Sequence, residues 1–169
     1  MAIGTSAVCG TYKEEIQAGI HRWTTASRGD STEISADTFK VAMFTNSSSI
    51  SQDTTGYTTS EEVTGTAYSA GGAALTSPTI GMADNSGGTT TAFLDFADTT
   101  WSTSTISSAR GALVYNSTLS GASTGSATTA AANPSVAVFN FGADKSSSAG
   151  DFTIQWPAND ENNAAIRIS

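Results

Sequence analysis

The sequence predicts an all-β protein: an antiparallel β-sandwich, Ig-like or jelly-roll-like, of about seven to nine strands with one N-terminal amphipathic helix. Three observations carry this expectation. Only 13% of the 169 residues are charged, nearly a third are Ser or Thr and 16 are glycine, which leaves few strong helix formers. Apolar residues recur mostly with a period of two, separated by turn-forming clusters. No helical window lies between the strands, as a parallel sheet would require. The length suits one domain with its own core. The expected organisation is an N-terminal arm and helix over 1–30 and a sandwich over 31–169, with an exposed loop or insertion at 116–134.

Taken in order, Thr11 to Trp23 (TYKEEIQAGIHRW) is the one helical window, because Tyr12, Ile16, Ile20 and Trp23 form a single apolar stripe. Thr11 reads as its N-cap, with Glu14 at capping-box spacing. Thr38 to Thr45 alternates Phe39, Val41 and Met43 with Lys40, Ala42 and Phe44, a strand buried on much of both sides. Glu61 to Ser69 reads as an edge or bulged strand around Gly65. Thr79 to Ala83 and Thr89 to Phe96 flank Asp84-Asn85-Ser86-Gly87-Gly88, a hairpin signal. Further short strands are expected at Ile106, Ala112 to Tyr115, Val136 to Phe141, Phe152 to Trp156 and Ala164 to Ile168. Asn116 to Pro134 has no charge and almost no bulky apolar residue, so it cannot fill a core.

The balance of charges excludes several functions. Seven Lys and Arg against 15 Asp and Glu give a net charge of −8, and the cations are scattered, so no nucleic-acid partner is expected. No stretch approaches the length of a membrane span, so no membrane partner is expected either. The start shows neither the basic region nor the apolar core of a signal peptide, which suggests synthesis and folding in a cytoplasm. Arg28-Gly29-Asp30 spells an integrin-binding tripeptide, but a solvated turn explains it as well. Asn46 and Asn116 head glycosylation acceptors that matter only on export.

Catalytic equipment is sparse, and the expectation is that the protein is not an enzyme. His21 is the one histidine and Cys9 the one cysteine. His21 reads as polar-side, next to Arg22 on the helix, and Cys9 as part of a flexible N-terminal segment. One of each cannot build a zinc site, so no metal and no cofactor are expected. Glu61-Glu62 and Asp160-Glu161 are adjacent pairs that point to opposite faces, so neither makes a two-carboxylate site. Asp95 and Asp98 near Trp101 could line a glycan groove, though strand ends often carry such residues for turn and core reasons. The stripe of Tyr12, Ile16, Ile20 and Trp23 must be covered by something, either its own sandwich or a neighbouring subunit, and these four are the candidate docking residues.

Several blocks in fixed order add to this reading. They are KEEI with the later Gly and His between Lys13 and His21, ADTFKVAMFTNSSSIS (Ala36 to Ser51), TGYTTSEEVTGTAYSAGGAAL (Thr55 to Leu75), FLDFADTTW (Phe93 to Trp101), ARGALVYNS (Ala109 to Ser117), VAVFNFGADKSSSAGDFTIQWP (Val136 to Pro157) and AAIRI (Ala164 to Ile168). Together they resemble a family of small structural proteins of tailed bacteriophages, over nearly the whole chain apart from Asn116 to Pro134. The resemblance implies a virion protein without catalysis. The leading expectation is a capsid decoration (cement) protein on the outer capsid surface. It would bridge subunits of the major capsid protein and associate with copies of itself as a trimer or other symmetric cluster. The alternative is a tail or fibre-associated module contacting host surface glycans through Asp95, Asp98 and Trp101.

Overall fold

The computed structural model describes residues 2–27, 33–84, 86–119 and 131–169. In chain order the elements are β1 (Ala7–Val8), α1 (Gly10–Gln17), β2 (Ala26–Ser27), β3 (Glu33–Ile34), β4 (Phe39–Phe44), β5 (Gly65–Thr66), β6 (Ala73–Ala74), β7 (Thr79–Asp84), β8 (Thr90–Asp95), β9 (Thr99–Asn116), β10 (Ser135–Ile154) and β11 (Ile166–Ile168). An antiparallel six-stranded sheet runs β1-β10-β9-β4-β6, with β5 also on β9. A three-stranded sheet, β11-β8-β7, and a two-stranded ribbon, β2-β3, complete the molecule. This is the expected all-β antiparallel sandwich.

An aromatic seam fills the interior. Trp23 stacks on Phe39 of β4 with ring centroids 3.3 Å apart and tilts against Phe96 at 5.3 Å. Phe96 meets Trp156 edge-on at 5.3 Å, and Trp156 meets Phe139 of β10 at 5.2 Å. The seam therefore ties β4 and β10 to the chain leaving β8, and edge-to-face contacts of this kind add to the burial of the rings. Around it Val41, Ala42, Met43, Phe44, Leu113, Val114, Val136 and Val138 are all shut off from solvent.

The apolar period located β4 and the β7-β8 hairpin closely. Thr79 to Asp84 pairs with Thr90 to Asp95 without a slip, around a connection whose Asn85 lies outside the described residues. Three expectations are corrected. The separate strands at Ile106 and Ala112 to Tyr115 are one 18-residue strand, and those at Val136 to Phe141 and Phe152 to Trp156 are one 20-residue strand. The Gly and Ser between them do not turn the chain. They form bulges within a continuous hairpin, where the register shifts between Asn140 and Phe152. Within Glu61 to Ser69 only Gly65–Thr66 is a strand; a Cβ on Gly65 would sit 2.1 Å from the Thr105 carbonyl oxygen, so only glycine allows this approach to β9.

The helix is the third correction. It spans Gly10–Gln17, and its N-cap is Cys9 without a side-chain cap; Thr11 lies inside it, so the capping box is not formed. Gly19 stops it with φ +70°, its N–H bonding to Ile16 O while Ile20 N–H bonds to Glu15 O. That is the glycine-terminated ending common to helices, which the stripe extending to Trp23 had obscured. The arm is also no separate layer. Ala7 and Val8 pair with Val138 and Ala137 of β10, so residues before 30 share a sheet with residues after it. The boundary at 30 and 31 and the tripeptide Arg28-Gly29-Asp30 lie outside the described residues, as do residues 120–130 of the 116–134 segment. Asn116 and Pro134, its two ends, are buried rather than exposed.

Candidate functional site

The four candidate docking residues face inward or partly so. Tyr12 and Trp23 are 4% and 8% exposed, and Trp23 Nε1–H donates to the Tyr12 hydroxyl at 2.8 Å. Ile16 is half-buried and packs on the same core, and Ile20 is half-buried. Of the two coverings foreseen for the stripe, the structure shows the chain's own sandwich.

His21 is not on a polar helix face, since it follows the helix and its side chain has 0% exposure. Asn116 Nδ2 lies 3.1 Å from His21 Nδ1 and donates to Asp37 Oδ2 at 2.8 Å, while Asn116 Oδ1 accepts the Thr118 N–H at 3.0 Å. An amide nitrogen only donates, so Nδ1 accepts and the imidazole proton sits on Nε2, directed at Glu15 Oε2 at 2.7 Å. Asp37 Oδ2 also accepts the Arg22 N–H at 2.9 Å. Burial holds the His21 pKa below its ordinary value even though Glu15 and Asp37 pull it upward. The network fastens α1, the segment before β4 and the end of β9 to one another, and it uses both imidazole nitrogens.

Cys9 is likewise corrected from a flexible segment to full burial, and that burial raises its thiol pKa. This is the opposite of an activated thiolate. Glu61 and Glu62 diverge, though from a turn with Glu61 at φ +62° rather than from the expected strand. Glu61 is exposed and accepts from Thr45 Oγ1, whereas Glu62 turns in. Its Oε1 accepts from the Tyr68 hydroxyl at 2.7 Å and the Gly71 N–H at 2.8 Å, and its Oε2 from the Tyr57 hydroxyl at 2.5 Å. Tyr68 in turn accepts the Met43 N–H, and Tyr115 donates to Gly71 O while stacking on Tyr57 at 4.6 Å. Burial and the carboxylate together push the Tyr57 and Tyr68 hydroxyls well above the ordinary tyrosine range, and Tyr115 up to about 12. Sequence reasoning missed this cluster; the Tyr-rich setting of Glu62 was the only available signal.

The glycan-groove residues are dispersed in role. Trp101 is 6% exposed and spends its ring against Tyr68 and Phe152. Asp98 accepts the Trp156 N–H, and Asp95 is buried, with its Oδ1 unpaired and its pKa raised by that burial. With the Trp101 ring buried against Tyr68 and Phe152, the three residues do not line one open groove. Among the described residues no group of three or more His, Cys, Asp or Glu is arranged to hold a metal ion.

One accessible surface is the exposed side of the outer half of the β9-β10 hairpin, the half away from the 117–134 connection. There the ladder breaks repeatedly, with positive φ at Thr103, Ser108, Gly142 and Ala149. Short hydroxyl side chains replace the missing partners. Ser147 Oγ accepts the Ile106 N–H, Ser146 Oγ the Ser108 N–H and Thr105 Oγ1 the Ala149 N–H. Ser104 Oγ donates to Gly150 O, and Thr103 N–H finds Asp151. Beyond Val138 no described strand covers the outer edge of β10. An open cleft of about 420 Å³ follows that edge, lined by Phe141, Lys145, Asp151, Phe152, Thr153 and Gln155 among others. Comparison with family models, curated proteins and solved structures gives no match.

Proposed function

We propose that the chain is a structural protein of a tailed-bacteriophage virion, made in the host cytoplasm and working as a capsid decoration protein. It binds the outer capsid surface, bridges subunits of the major capsid protein and clusters with copies of itself. The observation that carries this reading is the hydroxyl-studded outer half of β9-β10. Ser and Thr lose little rotamer freedom on contact, and their hydroxyls are already positioned by the bulges, so little ordering cost remains when a neighbour is met. The lattice then multiplies a modest affinity per copy. The family resemblance of the sequence blocks points the same way. The glycan-binding alternative loses support from the burial of Trp101.

The burial of Tyr12 and Trp23 also moves the anchor from the N-terminal arm to the ribbon. The test is add-back of purified protein to preformed capsids lacking it, with bound copies counted and located by immunogold labelling. Label over the whole head, lost in a Thr100→Lys and Thr153→Lys double variant that keeps its circular dichroism, supports the proposal. Label restricted to the tail overturns it.

A further inference from the structure

We propose that the outer edge of β7 is a self-association surface that takes the same strand of a second copy of this chain in an antiparallel pair. The inference does not depend on the capsid reading.

The open strand edges of this molecule are treated very differently. β1 and β6 have two residues each, and β11 has three, including Arg167. The outer edge of β10 is bulged and carries Asp144, Lys145 and Asp151. Shortness, charge and bulges are the ordinary protections against strand addition. β7 is neither short nor bulged, and its one charge is at its last residue. It is six residues long, pairs with β8 from Thr79 to Asp84 without a register shift, and has no charge before Asp84. Its apolar side chains are also the most exposed large ones described, with Ile80 at 54% and Met82 at 73%.

Register explains where those side chains point. Ile80 pairs with Leu94 and Leu94 with Ile166, while Met82 pairs with Ala92 and Ala92 with Ile168, so all six share one face. Leu94 and Ile166 are buried, whereas Ile168 is 45% exposed. A cleft of about 110 Å³ runs along this face, lined by Tyr12, Trp23, Ile80, Leu94, Ile166 and Ile168 among others. The apolar face therefore continues past the point where the core ends. On the other face the Phe93 ring lies across Gly81, so close that a Cβ there would sit 2.3 Å from the ring.

The occupant follows from self-complementarity. A two-fold axis through Gly81 sets Ile80 opposite Met82 of the second copy and Met82 opposite its Ile80, extending the apolar face across both sheets. The same axis sets Asp84 opposite Pro78, so no two charges meet. The two Asp84 carboxylates end up about 20 Å apart at 3.4 Å per residue, beyond the ~8 Å screening length of physiological salt.

Light scattering on the full chain tests this. The expected mass is twice the 17.1 kDa of one chain, falling to a single chain in Met82→Lys with an unchanged circular dichroism spectrum. Cysteine pairing tests the register even if that variant misbehaves. Mixing Ile80→Cys with Met82→Cys under mild oxidation is expected to give a cross-linked dimer that neither variant gives alone, and the fully buried Cys9 does not compete. A single-chain mass at every concentration, a doubled mass that survives Met82→Lys, or a mixture that cross-links no better than its components would each overturn the proposal.

Discussion

The two halves of the β9-β10 hairpin are held by different physics. At the base, the end next to the 117–134 connection, Gly111 to Tyr115 face Ser135 to Asn140 in a nearly regular ladder, and Ala112, Leu113, Val114 and Val138 are wholly buried. At the tip, the end away from that connection, Thr99 to Ala109 face Lys145 to Ile154 through repeated shifts; Trp101, Ile106, Phe152 and Ile154 are buried on one side, and most side chains between Gly142 and Asp151 are exposed. The base is specified by what it excludes from water on both sides; the tip does this on one side only, and on the other it relies on hydroxyl groups that finish hydrogen bonds the backbone leaves open. One strand pair can therefore stay continuous over its whole length while changing from a fully buried element to a half-exposed one.

The sharpest way to break that contrast is to attack the base. Leu113→Ala removes a wholly buried side chain and should cost about 2–5 kcal/mol, read as a lower urea midpoint at unchanged slope. Next comes the Glu62 cluster, which fastens the Tyr57 to Gly72 segment to β4 and Tyr115. Glu62→Gln leaves hydroxyl donors short of an acceptor and should cost about 1–3 kcal/mol by the same measurement. The cluster also sets an alkaline response. Tyr57, Tyr68 and Tyr115 have folded pKa values above the unfolded 10, so their stabilisation is complete below pH 10 and is lost as pH rises beyond it. Absorbance at 295 nm should show no tyrosine ionising near pH 10 until the chain unfolds.

His21 gives an acid counterpart. Its folded pKa lies below the unfolded 6.5, so the unfolded chain takes up the proton first, and stability that is present above pH 6.5 declines as pH falls below it. Protonating Nδ1 also removes the acceptor that Asn116 uses. The lone histidine gives one ε1 proton resonance, which is expected to hold its neutral position through pH 6.5 while the melting temperature drops. A resonance titrating at 6.5 would show that the network does not exclude the proton.

At the tip the expected effects shrink. Ser147→Ala removes the acceptor for the Ile106 N–H and the partner of Ser104, worth about 1 kcal/mol in thermal unfolding. Thr100→Val at the exposed Thr100–Thr153 pair should stay within about 0.5 kcal/mol. A Ser147→Ala loss as large as that of Leu113→Ala would mean that the hydroxyl-bearing side of the tip matters as much as the buried base.

Period-two alternation made β4 legible, and the Asp84 to Gly88 cluster made the β7-β8 hairpin legible, because both signals are local. Gly19 was an equally local sign of where α1 ends, outweighed by the spacing of Ile20 and Trp23. The continuity of β9 and β10 was not legible, since a serine that accepts a ladder bond looks the same in sequence as a serine in a turn. His21 and Asn116 are 95 positions apart, and no pattern near either one announces the other. The candidate groove failed for a related reason: spacing placed Trp101 near Asp95 and Asp98, but the fold turned its ring toward Tyr68 and Phe152.

The N-terminal arm sets a timetable for synthesis. The side chain of Asn140 donates to the carbonyl of Ile3, 137 residues earlier in the chain, and Ala7 waits for Val138. At ribosomal rates of about 5–20 residues per second, Ile3 and Ala7 remain without these partners for on the order of ten seconds. During that interval Tyr12 and Trp23 have no sheet to lie on. The stretch from Ile3 to Val8 is thus without its sheet for most of the time these 169 residues take to be made.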